Sequence, residues 1–443
     1  MKELNVKSKN ELDMDIDHSN MKIKIEKYNN NINEISSNTL RKKEKIKIII
    51  SIIYYILVIG IEFSYRDKLF EKSIKIEEKI QENYDKNSLF VKFWKLISEF
   101  GTAKITMFTW FIIFITYPIN YSFQYLQSII YTNYITNLFK MFYRNHRPYW
   151  HSDKIIFSCN SGYGNPSGHS MTSTCVYLSL SHILTDFIVF KKKYFFLKVI
   201  IFSLFSILII MIISSRIILG AHSLNQVIYG FLLGFGNYFV IFYLLKFHKY
   251  SPLEFLNFFL SKSNNILLFA FHFILLVICI ITYFSVKDNN VDEINEKIFN
   301  GIRCKLKKEY SKYKKDGLYQ SLSITSLLGA HLGILILIFL IKKKYINVNE
   351  NLIKWNKVTF KHWLFRLPIL LISGIGIILY FIISGKANLV IIFIFKSAIP
   401  FFLSPLGLYS LGIYYSMYLN LSYPLHGITE NQINNDSNLK NPV

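Results

Sequence analysis

Three short segments of the sequence contain residue types that can bind and cleave a phosphate ester. They cover residues 140–150, 159–169 and 215–226, and each combines basic or histidine side chains with small polar residues. Lys140, Arg147 and Arg216 are cations, and none of the three segments contains an acidic residue. Because a guanidinium group forks onto phosphate oxygens and a lysine adds a point charge, these side chains predict an anion site.

The second segment ends in a turn that favours the same anion. Pro166, Ser167 and Gly168 lead directly into a predicted helix. A glycine permits close approach of a ligand to the backbone, and the free N–H groups at a helix N-terminus favour an anion. The Ser167 hydroxyl adds a further donor. We therefore expect Ser167 and Gly168 to complete a phosphate cradle with the three cations.

Two histidines, His169 and His222, flank this predicted cradle. A neutral imidazole can attack phosphorus, and a protonated imidazole can give its proton to the leaving oxygen. The neutral and the protonated form are both accessible, because the pKa of an unperturbed histidine is about 6.5. Gln226 follows His222 by four residues, which places both on one face of a helix. Its amide oxygen is predicted to accept the Nδ1–H of His222 and leave Nε2 free for attack.

Each of these features, taken alone, also has an ordinary structural explanation. Lysines and arginines at helix ends often snorkel, and a Pro-Ser-Gly turn is common before a helix. A single histidine near a membrane is more often structural than catalytic. Together, on one face and in this order, the features favour a phosphate site.

The composition indicates that membrane helices position the three segments. Of the 443 residues, 52% are hydrophobic and only 18% are charged. Apolar stretches of about 17 to 25 residues recur along the chain, which is the length that crosses a hydrocarbon core. An all-α, polytopic membrane protein is therefore predicted, and a purely soluble enzyme is excluded. The net charge of +23 lies largely in short loops and comes without any nucleic-acid-binding motif, so no nucleic-acid partner is expected.

We predict ten membrane-spanning helices and four parts of the chain. The helices cover residues 46–66, 102–118, 121–139, 168–190, 196–214, 222–246, 265–286, 322–341, 366–384 and 388–419. The parts are a disordered cytosolic tail over 1–45, a catalytic core over 46–250, additional membrane helices over 251–420 and a C-terminal tail over 421–443.

Basic residues in the loops orient these helices. Clusters within residues 41–45, 191–193 and 342–366 belong in the cytosol because positive charge stays on that side. The number of crossings then places all three polar segments on the opposite face, at helix ends where irregular backbone can be wetted. Residues 67–101 and 287–321 are expected to lie on the same outer face.

The pattern Lys-x6-Arg-Pro, Pro-Ser-Gly-His and Ser-Arg-x5-His resembles the three signature motifs of the type 2 phosphatidic acid phosphatase (PAP2) superfamily. The resemblance covers residues 140–226 and implies a membrane phosphatase that needs no metal and no other cofactor. It implies that His222 is the nucleophile that becomes phosphohistidine and that His169 is the acid. The residues implied to hold the phosphate are Lys140, Arg147, Ser167, Gly168 and Arg216.

Within the superfamily, the chain is most similar to the glucose-6-phosphatase branch. Gln226 stands where many lipid phosphatases have aspartate, whereas His-x3-Gln is typical of glucose-6-phosphatases. The run Arg-Pro-Tyr-Trp over residues 147–150 and the spacing Cys-x2-Gly-x-Gly before Pro166 are also similar to that branch. The resemblance implies a sugar-phosphate substrate and a site facing the lumen of the endoplasmic reticulum, with the plasma membrane as the alternative.

Several alternatives stay open at this point. The substrate could be a lipid phosphate such as phosphatidic acid or a sphingoid-base phosphate, and a transporter or lipid-handling protein without enzymatic activity is a further alternative. Polar loop residues such as Asn145, His146 and His151 could bind a sugar, or they could simply be solvated. The expected partners are the phosphorylated substrate and membrane lipids.

Two predictions concern residues outside the motifs. Cys159 and Cys304 are placed on the same oxidising face and could form a disulfide. His272, His331 and Lys396 lie within predicted spans, where an ionisable group is a functional candidate or is paired with a backbone carbonyl.

Overall fold

The computed structural model describes residues 45–117, 119–152, 154–155, 162–188, 195–246, 249, 258, 261–287 and 321. The three predicted helices after residue 321 and the C-terminal tail 421–443 lie outside the described residues. The same holds for the predicted tail 1–45 except residue 45, and for the predicted loop 287–321 except its two end residues. Cys159, Cys304, His331 and Lys396 also lie outside the described residues. The chain divides into two units, Met1–Ile56 and Leu57–Val443, and every side-chain contact given below lies within the second.

The described residues form helices and connecting turns without a strand, as the all-α prediction requires. In chain order the helices are α1 (Lys45–Glu82), α2 (Leu89–Glu99), α3 (Ala103–Thr116), α4 (Ile119–Tyr143), α5 (Gly168–Ile188), α6 (Phe195–Ile218), α7 (Leu224–Phe239) and α8 (Lys262–Lys287). A short 3-10 helix, Pro148–Trp150, follows α4, and a π-helical stretch, Val240–Leu245, continues α7.

Four of the described helices are long and apolar enough to cross a membrane. They are α1, α6, α7 with its continuation to Leu245, and α8 from Ile266. The pair α2 and α3 reaches the same apolarity only together, with a bend of 47° between them. The ten predicted spans therefore stay a prediction, of which the described residues carry four or five.

Helices α4 and α5 were also predicted as spans, but they are more polar than the other four. Their polar side chains are buried and bonded inside the protein, as between the hydroxyls of Ser128 and Ser179, whose oxygens lie 2.9 Å apart. Since α5 packs against α4, α6 and α7, it is shielded by protein. Its polarity is compatible with a central position.

The first predicted helix, over residues 46–66, is too short, and the segment that follows it is largely helical. Helix α1 continues to Glu82, and α2 occupies Leu89–Glu99. In the second half of α1, the buried residues Ser73, Glu77 and Gln81 recur at helical spacing. Because this buried face is polar, an analysis of apolar periodicity does not detect it.

Two glycines set the distance between α7 and the start of α5. A Cβ atom at Gly230 would lie 2.6 Å from the carbonyl oxygen of Ser167, and one at Gly234 would lie 2.5 Å from that of Met171. Such distances exclude any side chain, so small residues are what permit this close helix approach. The packing fixes Ser167 relative to α7.

His272 on α8 is held by two ordinary structural bonds, one within its own helix and one to α4. Its Nδ1 donates to the carbonyl oxygen of Leu268 at 2.7 Å, and its Nε2 lies 2.8 Å from the hydroxyl oxygen of Tyr131. This bonding favours the structural interpretation of His272 over a catalytic one.

Candidate active site

The three polar segments come together where α4 and α6 end and α5 and α7 begin. Lys140 lies in the last turn of α4, and Arg216 lies in the last turn of α6. Backbone bonds join the loops between these helices. The N–H of Gly164 donates to the carbonyl of Asn145 at 2.8 Å, and the N–H of Ser167 donates to that of Gln226 at 2.9 Å.

The bonding of His222 defines its tautomer. The side chain is 2% exposed, in the turn between α6 and α7. Its Nδ1 lies 2.8 Å from the carbonyl oxygen of Gly164, which can only accept, so Nδ1 carries the proton. Its Nε2 lies 3.2 Å from Nη1 of Arg147, which can only donate, so Nε2 presents its lone pair. This is the tautomer that attack through Nε2 requires.

Gly164, which the sequence did not single out as a catalytic partner, is the nearer acceptor for Nδ1. The predicted acceptor, the amide oxygen of Gln226, lies at 3.3 Å and is the second one. A Cβ atom at Gly164 would lie 2.5 to 2.7 Å from the Gln226 amide group. The absence of a side chain at Gly164 is therefore what allows both acceptors to reach one imidazole.

Gln226 also holds the start of α7 and the loop before Arg147. Its Oε1 accepts the backbone N–H of Ser223 at 3.3 Å, as part of a capping box. Its Nε2 donates to the carbonyl oxygen of His146 at 2.6 Å. The side chain is thus a bridge between the first and third segments as well as a partner of His222.

Arg147 is anchored at two further points. Its Nε donates to the carbonyl of Gly162 at 2.7 Å, and its Nη1 also donates to that of Ala221 at 2.9 Å. These bonds hold a guanidinium group that is 4% exposed against the reactive nitrogen of His222. The arrangement aims the cation at an anion bound at Nε2.

Several cations surround His222 and favour its neutral form. Burial first, and then the positive charges of Arg147, Arg216, Lys140 and His169, hold the pKa of the His222 imidazole well below its usual range. Since the lone pair on Nε2 exists only in the neutral form, the environment keeps His222 in a nucleophilic state.

Arg216 and Lys140 are the cations with the fewest bonds in this cluster. Arg216 is 4% exposed, and its Nη1 donates to the hydroxyl of Ser98 on α2, while its Nε is buried without a hydrogen-bond partner among the described residues. A Cβ atom at Gly168 would lie 3.7 Å from Nζ of Lys140. Within the described part of the chain, neither cation forms a salt bridge. Cations in this setting that form no salt bridge fit an anionic ligand.

Ser167 and Gly168 lie where the sequence predicted them, at the N-terminus of α5. The carbonyl of Ser167 accepts the N–H of Met171 at 3.0 Å, which opens the helix. The Ser167 hydroxyl accepts a bond from Ser170 at 3.0 Å, so its own proton remains available to an acceptor. The N–H groups of Gly168 and His169 belong to the first turn, where a helix has no acceptors of its own.

His169 is partly exposed and lies under the turn between α2 and α3. A Cβ atom at Gly101 would lie 2.9 Å both from Cδ2 of His169 and from Cγ2 of Ile212. No hydrogen bond to the His169 imidazole is formed among the described residues. The sequence did not identify Ser98 or Gly101 as parts of the site, because neither belongs to one of the three segments.

A separate cavity of about 270 Å³ lies beside the site. Asn145, His146 and His151, which the sequence suggested for a sugar, line it together with Gln226, but His222 does not. These polar residues are therefore on the Gln226 side of His222. Among the described residues there is no group of three or more metal-ligating side chains.

Comparison with known proteins supports the interpretation of these motifs. Residues 121–250 match the family PAP2, described as the PAP2 superfamily. The chain is 31% identical over 81 residues to Phosphatidylglycerophosphatase B of Bacillus subtilis (strain 168), a match that covers 18% of this chain and 38% of that protein. The chain thus spans less than half the length of this curated relative.

A solved structure was also compared with the chain. It is the crystal structure of the first transmembrane PAP2 type phosphatidylglycerolphosphate phosphatase from Bacillus subtilis. The sequence identity is 17%, the TM-score is 0.39, and the match covers 44% of this chain and 96% of the other.

Proposed function

We propose that the chain, whose residues 121–250 match the PAP2 superfamily, is a membrane phosphatase that hydrolyses phosphate monoesters through His222. The observation that carries the proposal is the fixed tautomer of His222, whose Nε2 lone pair faces Arg147 at 3.2 Å. A nucleophile beside a cluster of buried cations is suited to attack on a bound phosphate.

In the first step, Nε2 of His222 bonds to phosphorus while the bond from phosphorus to the leaving oxygen breaks. Protonated His169 gives its proton to that oxygen, so the leaving group departs as an alcohol. The negative charge of the bound phosphate favours this protonated imidazole. Lys140, Arg147 and Arg216 stabilise the negative charge on the transferred group.

In the second step, water attacks the phosphorus of the phosphohistidine. Neutral His169 accepts the proton of the water, the bond from phosphorus to Nε2 breaks, and inorganic phosphate leaves. Both histidines then carry their starting protons. The bond from Nδ1–H to the Gly164 carbonyl persists through both steps and holds the ring in place.

A lipid phosphate is the substrate class that the surroundings of His169 favour. On α2 and at its end, Leu89, Phe93, Leu96 and Phe100 are 84%, 44%, 61% and 38% exposed, at spacings that place them along one stripe. This apolar stripe leads to the turn that covers His169, on the leaving-group side of the proposed reaction. The relative that is 31% identical is named Phosphatidylglycerophosphatase B.

Glucose 6-phosphate is the second candidate, because of Gln226 and the motif spacings that resemble the glucose-6-phosphatase branch. A competition assay on purified protein in mixed micelles distinguishes the two classes. It compares kcat/KM for phosphatidic acid, a sphingoid-base phosphate and phosphatidylglycerophosphate with kcat/KM for glucose 6-phosphate. A preference for glucose 6-phosphate reverses the choice of substrate. Absence of turnover with every phosphate ester contradicts the phosphatase and favours a lipid-handling protein or transporter.

We further propose that the site faces the lumen of the endoplasmic reticulum or the cell exterior, as the basic loops indicate. The side chain of Lys154 is 61% exposed close to the first segment. Lys154→Cys in a background without native cysteines tests the proposal with an impermeant thiol reagent. Labelling in right-side-out plasma-membrane vesicles, or in endoplasmic-reticulum microsomes only after permeabilisation, supports it. Labelling in intact microsomes, or in plasma-membrane vesicles only after exposure of the cytosolic face, contradicts it.

A further inference from the structure

Helix α1, which lies outside the family match, places a buried glutamate beside the active-site loops. Glu62 is 5% exposed, and its Oε1 accepts three hydrogen bonds. The donors are Nδ2 of Asn165 at 2.6 Å, Nε of Arg66 at 3.1 Å and Nδ2 of Asn225 at 3.3 Å. A buried carboxylate is costly unless it is bonded in this way.

These bonds connect Glu62 directly to the second and third polar segments and, through Asn165, to the first. Asn165 directly precedes the Pro-Ser-Gly turn, and its Nδ2 also donates to Oδ1 of Asn145 at 3.1 Å, two residues before Arg147. Asn225 lies next to Gln226 on α7, and its Oδ1 accepts the hydroxyl of Ser223 at 2.6 Å. One carboxylate oxygen therefore bonds directly to the segments of the phosphate turn and the nucleophile, and it reaches the segment of Arg147 through Asn165.

The position of this carboxylate matters because the third segment has none of its own. Gln226 is neutral and holds its partners through neutral bonds at 3.3 and 2.6 Å. The bonds from Asn165 and Arg66 to Glu62 are charge-assisted, and such bonds are stronger than neutral ones. The bond from Asn165 fixes a loop whose shift would misalign Arg147 and His222, and the bond from Arg66 holds the carboxylate within α1.

We propose that Glu62 is a positioning residue that keeps the three segments in register around the bound phosphate. The inference rests on the proposed phosphatase function. It predicts that loss of the Glu62 charge weakens binding of a transition-state mimic, because the cradle loses its alignment. Glu62 touches neither His222 nor Arg147, so its effect passes through Asn165 and Asn225.

The test measures vanadate affinity and turnover in the purified full-length protein. Glu62→Gln keeps an acceptor but removes the charge, and we expect vanadate to bind about 10-fold more weakly, with a similar loss in kcat/KM. Glu62→Ala is expected to lose more, about 100-fold. Glu71→Gln is the matched control, since Glu71 is an exposed acid on the same helix. The phosphoenzyme burst counts active sites, so partial unfolding does not alter the affinity per site.

A double-mutant cycle tests whether Glu62 acts through Asn165. If the two residues act independently, the effects of their substitutions on vanadate affinity add. If Glu62 acts through Asn165, then Asn165→Ala costs little vanadate affinity when Glu62→Gln is already present. Should Glu62→Gln match Glu71→Gln in affinity per active site, the positioning role is wrong while the phosphatase function stands. Should the wild type neither bind vanadate nor turn over any phosphate ester, the proposed function is wrong and this inference fails with it.

Discussion

The surroundings of His222 and His169 differ in how tightly they hold the imidazole. His222 is 2% exposed and is fixed at both ring nitrogens, by the Gly164 carbonyl and by Arg147. His169 is partly exposed and contacts the turn at Gly101 without a hydrogen bond to its ring among the described residues. The surroundings of His222, the proposed nucleophile, are built from buried backbone, whereas those of His169, the proposed acid, open towards α2 and its apolar stripe.

This difference indicates a division of work between two regions. A nucleophile needs a single orientation, which bonds to a backbone carbonyl provide at every stage of the reaction. An acid must meet leaving groups of different substrates, so a less constrained ring under a separate helix is suitable. Substitutions on the two sides should therefore differ in how much turnover they cost and in how far that cost depends on the substrate.

The largest expected effect is that of His222→Ala. We expect turnover to fall by about 10⁴-fold or more, because no other group can form the covalent intermediate. Phosphoenzyme should disappear together with turnover in rapid-quench experiments with labelled substrate. Glu71→Gln, which changes an exposed acid on α1, serves as the control. Acid-labile phosphoenzyme in His222→Ala would assign the nucleophile to another residue.

His169→Ala should cost less, and the cost should depend on the leaving group. With an alkyl phosphate we expect a loss of about 10²- to 10⁴-fold, because the alkoxide needs a proton. With p-nitrophenyl phosphate, whose leaving group needs no proton, the loss should be at least about tenfold smaller than with the alkyl ester. Steady-state kinetics with both esters give the comparison, and equal losses would contradict the role of His169 as acid.

Gly164→Ala tests the carbonyl that holds His222. The new Cβ would meet the Gln226 amide group at 2.5 to 2.7 Å, so the loop has to move away from the imidazole. We expect kcat to fall by about 10- to 100-fold on every substrate. A matched substitution at Gly60, where a Cβ meets nothing within 4 Å, should leave kcat unchanged. An effect confined to one leaving group would place Gly164 on the acid side instead.

The smallest expected effect concerns pH. Because the pKa of His222 lies well below its usual value of about 6.5, the imidazole stays neutral as pH falls through that value. The acid limb of kcat/KM should accordingly begin below about pH 6.5, and activity is lost only when pH falls through the lowered pKa. A pH–rate profile with p-nitrophenyl phosphate checks this expectation, because the leaving group of this ester needs no proton from His169. An acid limb centred above pH 6.5 would show that the surrounding cations do not depress the pKa.

Much of the described fold could be predicted from hydrophobicity alone. The predicted helix over 196–214 corresponds to Phe195–Ile218, and the one over 222–246 corresponds to Leu224–Leu245. Long apolar runs bounded by polar turns define such helices whatever they pack against. The second half of α1 was not predicted, because its buried face consists of polar residues such as Ser73 and Glu77. The hydroxyl of Ser73 donates to the carboxylate of Glu77 at 2.6 Å.

Of the candidate site, only the parts formed by reactive or charged side chains could be predicted from the sequence. Cations, histidines and the Pro-Ser-Gly turn are visible as residue types at fixed spacing. The carbonyl oxygen of Gly164 is a backbone group that every residue possesses, so its bond to His222 depends on how the loop folds. The same applies to Glu62, which reaches the site from a helix distant in sequence.

The position of the phosphoryl group on the imidazole tests the central claim most directly. Phosphoenzyme trapped by acid-free quench can be digested and examined by ³¹P NMR and mass spectrometry, which distinguish the two ring nitrogens and locate the residue. The bond from Nδ1–H to the Gly164 carbonyl predicts a phosphoryl group on Nε2 of His222. A phosphoryl group on Nδ1, on His169 or on no histidine would contradict the account.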